Sequence, residues 1–151
     1  MRTALALAAV LAFTFTLTAA DPFVGTWKLN LDKSKLAANN NVVSQTMTIS
    51  PLGSNAFKTA IDSVLKSGQK RHFEINRTYD GKEHAEEGVN VDPKATQICE
   101  RVGDSNRKVT FKENGMVTSQ MISTISSDGK VMTNQTTNSK GEETTSVLEK
   151  Q

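Results

Sequence analysis

The sequence predicts an all-β fold: one up-and-down antiparallel β-barrel of about ten strands, with a short helical turn at most near 32–38. Three observations predict it. Turn signals recur at near-regular intervals. The segments between them alternate apolar and polar residues with a period of two. Ala and Leu are sparse after residue 38 whereas Thr and Ser are crowded, which argues against a helical bundle.

The turn signals are Pro51-Leu52-Gly53-Ser54, Ser67-Gly68, Asp80-Gly81, Gly103-Asp104-Ser105-Asn106, Asn114-Gly115, Asp128-Gly129 and Lys140-Gly141. Asx-Gly pairs suit two-residue hairpins, whose central positions need positive φ. Short turns of this kind join neighbouring antiparallel strands, so the chain reads as a meander. Phe23, Gly25, Trp27, Leu29 and Leu31 share one face of the first strand. Val43, Met47 and Ile49 share a face of the second, and Phe57, Ile61 and Leu65 of the third. In the fourth, Phe73, Ile75 and Tyr79 oppose His72, Glu74, Asn76 and Thr78. Lys82 to Glu87 forms a short polar fifth strand. Ile98 and Val102, then Val109 and Phe111, mark the next two. Three Thr-rich strands follow near 116–127, 130–139 and 142–150. Asp32 to Asn41 has no strand character: Asp32 can cap a helical turn over Lys33 to Ala38, and Asn39-Asn40-Asn41 can stop it. So many antiparallel strands in one small domain must hide their edges, and closure into a barrel does that. A barrel wider than eight strands leaves room inside for a ligand.

The chain has 151 residues, a one-domain length. Residues 1–20 read as a signal peptide and 21–151 as the barrel domain. Met1-Arg2 is a short positive start, Ala4 to Leu17 is uncharged and apolar, and Thr18-Ala19-Ala20 ends the run with small residues before Asp21-Pro22. The run is shorter than the ~20 residues that span a bilayer, so no membrane span is expected. With no Cys near the cleavage site no lipid anchor is expected, and the expected location is secreted or periplasmic. Cys99 is the single cysteine, so no internal disulfide can form; it is expected as a half-buried strand residue. Charge is nearly balanced, 18 Lys+Arg against 16 Asp+Glu. That excludes nucleic-acid binding driven by a net basic field.

Phe23-Val24-Gly25-Thr26-Trp27-Lys28-Leu29 resembles the first strand of the fatty-acid-binding proteins, and its Gly-x-Trp core is shared with lipocalins, both of the calycin superfamily. Glu100-Arg101-Val102 into Gly103-Asp104, Ser127-Asp128-Gly129-Lys130-Val131-Met132-Thr133 and the closing Leu148-Glu149-Lys150 resemble the same pattern. The opening also resembles small lipocalin-like proteins secreted by bacteria. The resemblance implies the barrel fold, with Trp27 plugging one end, and a hydrophobic ligand. The departures are specific. The family's Arg-x-Tyr clamp on a carboxylate would fall on Ser146 and Leu148, and Met116 to Ser126, where a second Arg is usual, holds no basic residue. Leu31 to Asn41 is too short for the family's two-helix lid. Neutral ligands are therefore expected over free fatty acids.

Arg71 and Arg77 share the parity of Phe73, Ile75 and Tyr79. Both are expected at barrel rims with the head in water; turned inward, Arg77 could bind an anionic group. Arg101 is expected to stack near Trp27. His84 with Glu83, Glu86 and Glu87 reads as a solvated acidic face, and no metal or other cofactor is expected. The sequence has no Gly-x-Ser-x-Gly, His-Glu-x-x-His, phosphate loop or Cys-x-x-Cys, so no enzyme activity is expected. The expected function is reversible binding of a small apolar or amphipathic molecule in a cavity lined by Trp27, Phe57, Ile61, Phe73, Ile75, Arg77, Tyr79 and Phe111. The alternative is a filled barrel, closed by Met47, Met121, Ile122 and Ile125, that acts as an inhibitor-like module on a protein partner.

Overall fold

A computed structural model describes residues 20–151; the expected leader, apart from Ala20, lies outside the described residues. They form eleven strands and no helix: β1 (Gly25–Lys35), β2 (Val42–Pro51), β3 (Ala56–Leu65), β4 (Lys70–Thr78), β5 (Glu83–Ala85), β6 (Glu87–Val89), β7 (Ala95–Arg101), β8 (Asn106–Glu113), β9 (Met116–Ile125), β10 (Val131–Asn138) and β11 (Glu143–Lys150). All belong to one antiparallel sheet with the order β5-β7-β8-β9-β10-β11-β1-β2-β3-β4-β6. The two ends of that order, β5 and β6, are consecutive in the chain. The expected fifth strand is thus a single segment divided at Glu86. Its first half pairs with β7 and its second with β4, so the sheet curls into a nearly closed barrel.

The Asn-Gly hairpin has the expected geometry, with φ of 50° at Asn114 and 78° at Gly115. The expected helical turn near 32–38 does not form: β1 runs on to Lys35 and an irregular stretch with a turn at Ala38 and Asn39 follows, because Ser34 stitches a bulge in β1. Its hydroxyl donates to the Asn30 carbonyl at 2.6 Å and accepts from the Val147 amide at 2.9 Å, holding Lys35 in register with Thr145 on β11. The irregularity leaves Leu31 exposed. A second shift between Val42 and Ser44 does the same to Val43.

In β7 the observed parity is the reverse of the expected one. Gln97 and Cys99 face inward and are buried, while Val102 beyond the strand is 62% exposed. The reason is the seam where β4 and β7 part company. There the Gln97 side-chain amide donates to the Asn76 carbonyl of β4 at 2.7 Å and accepts from the Cys99 thiol at 3.7 Å. An apolar side chain at 97 would leave that carbonyl without this partner.

Gly88 sits where β6 meets β4, and a Cβ there would land on the Glu74 carbonyl oxygen. Gly88→Ala is expected to peel β6 from β4. Amide exchange at Glu87–Val89 should rise about tenfold or more while the core around Trp27 keeps its protection. Unchanged exchange at β6 would show that the close approach is dispensable.

The apolar core fills one end of the barrel, built from Phe23, Trp27, Met47, Phe57, Met132 and Leu148 among others. Trp27 is completely buried, and its indole N–H donates to the Phe23 carbonyl at 2.9 Å. The basic group over its ring is the Lys150 ammonium at 5.0 Å, not Arg101 as expected. Arg101 lies over Phe57 instead, at 5.5 Å, because Asp21 draws its head to the floor of the barrel.

Outside the barrel, the His72 Nδ1 meets the Asp62 carboxylate at 2.8 Å, with Glu74 on its other side. The Asp62 hydrogen bond leads the effects that raise the His72 pKa above 6.5. A raised folded-state value means the contact contributes fully below 6.5 and is lost as pH climbs through the folded pKa. The imidazole should titrate by NMR above 6.5, and Asp62→Asn should bring it down; a midpoint unmoved by that change would refute the pairing.

Candidate ligand site

The site is built from the floor upward. The segment before β1 crosses the base of the barrel as a tight turn, in which Asp21 accepts from the Phe23 amide through its side chain and from the Val24 amide through its carbonyl, both at 3.0 Å. The other carboxylate oxygen, Oδ2, accepts from Arg101 at 2.8 Å and from Arg107 at 2.6 Å. Arg107 opens β8 and points inward, as Val109 and Phe111 on the same parity do, and is only 2% exposed. Its guanidinium carbon lies 4.2 Å from the ring centre of Phe23, 4.3 Å from that of Phe57 and 4.4 Å from that of Tyr79. Three aromatic faces and one carboxylate thus offset much of the cost of desolvating this cation, whose Nε is buried without a partner. Phe57 and Tyr79 meet edge to face with centroids 5.9 Å apart.

Above this floor lies a cavity of about 30 Å³ bordered by Arg77, Asn134, Thr59, Ser123, Met47 and Met121. Such a space takes one or two water-sized groups. Arg77 projects into the interior from the end of β4 and is 8% exposed, not at the rim with its head in water. The inward parity of β4 and its pairing with buried Phe57 carry it inside. Its Nε is buried without a partner, and none of the ion pairs among the described residues involves it. The Phe111 ring lies 5.9 Å beneath its guanidinium carbon. Asn134 Oδ1 is buried and unpartnered as well. Burial pushes the Glu86 carboxyl up, with the Arg77 charge opposing. Burial likewise pushes the Cys99 thiol up to about 11, so the thiol stays protonated and inert at neutral pH.

Ile61, in register with Met47 and packed against the edge of the core cluster, and Phe73 are half-buried, and with Arg71 and His72 they border an opening of about 510 Å³. A second opening, about 600 Å³, lies between the β1–β2 connection and the β10–β11 turn. The expected lining residues therefore occupy three levels. Phe57 and Tyr79 build the floor, Arg77 and Phe111 the middle, and Ile61 and Phe73 the mouth. Trp27 and Ile75 are completely buried, Trp27 as a member of the core. Met47 and Ile125 are buried and Met121 is half-buried, whereas Ile122 faces outward at 46% exposure and closes nothing. Among the described residues no three His, Cys, Asp or Glu side chains cluster as metal ligands, and no helix is long and apolar enough to cross a membrane.

The sequence reading missed Arg107, Asp21, Gln97 and Asn134. For Arg107 a signal existed in its shared parity with Val109 and Phe111; for Asp21, 86 residues away, there was none.

The described residues have the fold of the fatty-acid-binding proteins. The Schistosoma mansoni fatty-acid-binding protein in complex with arachidonic acid superposes with a TM-score of 0.65 at 14% identity, over 86% of this chain and 96% of that one. The Echinococcus granulosus fatty-acid-binding protein 1 gives 0.62 at 13%, over 87% and 98%. The wild-type fluorescent protein UnaG gives 0.63 at 15%, over 85% and 97%. No family model matches the sequence, and a search of curated proteins finds no match either.

Proposed function

We propose that the protein is a non-catalytic carrier that reversibly holds a small amphipathic molecule inside the barrel, outside the cytoplasm. The observation that carries this reading is Arg77 turned inward at 8% exposure, its Nε buried without a partner and its charge in no ion pair among the described residues, beneath a half-buried apolar mouth. A buried cation without a close counter-charge is costly to fold around, and a ligand's polar head would add to what the Phe111 ring and the Glu86 charge supply. Ile61, Phe73 and Phe111 then cover the apolar part, contributing roughly 25 cal/mol for each Å² removed from water. The likeness to a fatty-acid-binding protein solved with arachidonic acid supports the same reading. The small size of the cavity beside Arg77, about 30 Å³, supports a ligand whose bulk lies nearer the openings than the core. Export follows from the leader pattern, with cleavage after Ala20.

The test is to express the protein with its own leader, purify the exported form without denaturant, and extract it with organic solvent. Mass spectrometry should find one dominant small molecule near one per chain, and an intact mass beginning at Asp21. An empty extract, repeated from the native host, would turn the search to a protein partner.

A further inference from the structure

Three buried polar atoms border one small cavity and have no hydrogen-bond partner among the described residues: Arg77 Nε, Arg107 Nε and Asn134 Oδ1. The fold brings them there from two walls. Arg107, Ser123 and Asn134 lie in register across β8, β9 and β10, so their side chains form one row on the inner face. Arg77 of β4 and Thr59 of β3 come from strands halfway round the sheet order. The space between the two walls, about 30 Å³, takes a water-sized particle. Both arginines are more than nine-tenths buried, at 8% and 2% exposure.

Hydrogen-bond counting alone does not choose the occupant. A water molecule can accept from both N–H groups and donate to the Asn134 oxygen. Charge does choose. Two guanidinium groups are enclosed, and among the described residues Asp21 is the one carboxylate ion-paired with either of them, shared with Arg101 as well. The Glu86 charge acts on Arg77 without an ion pair between them. The interior keeps an excess of positive charge, which a neutral water does not offset and an anion does. A phosphate or sulfate is too large for the space, whereas a monatomic anion is not. We infer that the barrel holds one halide-sized inorganic anion between Arg77 and Arg107, accepting from both Nε–H groups. The Asn134 amide joins it when turned by half a rotation, which exchanges its oxygen for its NH2 at nearly constant shape. The hydroxyls of Thr59 and Ser123 border the same space and can donate to the ion. This goes beyond the carrier reading, since the ion offsets the interior charge whether or not a larger molecule occupies the openings.

The experiment melts the full exported protein in sodium chloride, sodium bromide and sodium gluconate at equal ionic strength, gluconate being too large for the cavity. Each salt also acts on exposed surface in general, so every response is compared with that of Arg77→Met. Chloride and bromide should raise the wild-type melting temperature over that baseline by about 5 °C once the halide is roughly tenfold above its dissociation constant. The gain should saturate as a single site does. Arg71→Met, which removes an exposed arginine instead, should keep it. In wild-type crystals grown from bromide, the anomalous signal should touch both Nε atoms, a readout that needs no variant to fold. Equal salt responses of the wild type and Arg77→Met overturn the assignment. Density at the site without anomalous signal marks a buried water only and overturns it as well. The carrier reading stands or falls on the solvent extract and not on these outcomes.

Discussion

Asp21→Ala is expected to destabilise the barrel by about 3–5 kcal/mol, the cost of stripping one partner from a buried ion pair. Arg107 cannot escape to water: it is enclosed by Phe23, Phe57 and Tyr79, and Asp21 supplies its only ion pair among the described residues. The loss also unties the turn that Asp21 holds at Phe23 and Val24. The melting temperature should fall by roughly 10 °C or more. Two controls separate the causes. Arg101→Ala removes the other arginine of the same carboxylate, but that head group is one-third exposed and should cost no more than about 1 kcal/mol. The double change Asp21→Ala with Arg107→Met removes both buried charges and should recover much of the loss, since a packed apolar side chain often replaces a buried pair at little cost. If Asp21→Ala melted within a degree or two of the wild type, the floor would be held by packing alone.

Trp27→Ala is expected to cost a similar 3–5 kcal/mol for a different reason. The indole is completely buried among Met47, Met132 and Leu148, and its removal leaves a cavity that strands fixed in register cannot collapse into. The Phe23 carbonyl loses its donor as well. Chemical unfolding followed by circular dichroism should show a lower urea midpoint with an unchanged slope, the mark of altered stability at constant exposed surface. Trp27→Phe keeps most of the volume and should lose distinctly less. A midpoint for Trp27→Ala near the wild-type value would mean that the barrel end closes without its plug.

The strands were legible because alternation and turn chemistry are local: β3, β4, β9, β10 and β11 lie close to where the pattern put them. Three features were not, and each depends on something distant. Ser34 reads as a helix-compatible residue until Val147 comes alongside. Gln97 is polar and opposes Ile98, and Cys99 reads as half-buried rather than 1% exposed, since nothing in β7 announces a gap in the sheet that a side chain must bridge. Arg77 reads as a rim residue because long basic side chains usually reach water. Its burial follows from the pairing of β3 with β4 and from Phe111 beneath it, 34 residues further on. Apolar parity thus located the wall of the site, while its polar contents became visible only in three dimensions.

The pairing of β1 with β11 has a consequence for how the molecule is made. Trp27 lies opposite Lys150, and Leu29 opposite Leu148. Most other ladders join strands adjacent in the chain and can form as soon as both have emerged. The β1–β11 ladder must wait for nearly the whole polypeptide and bears the largest loop-closure entropy. A ribosome or a translocation channel delivering this chain from its N-terminus releases a growing meander whose first strand stays unpaired on one side until the end. Folding should accordingly be post-synthetic and abrupt, and the vulnerable interval for aggregation or proteolysis is the time between the appearance of Trp27 and that of Leu148.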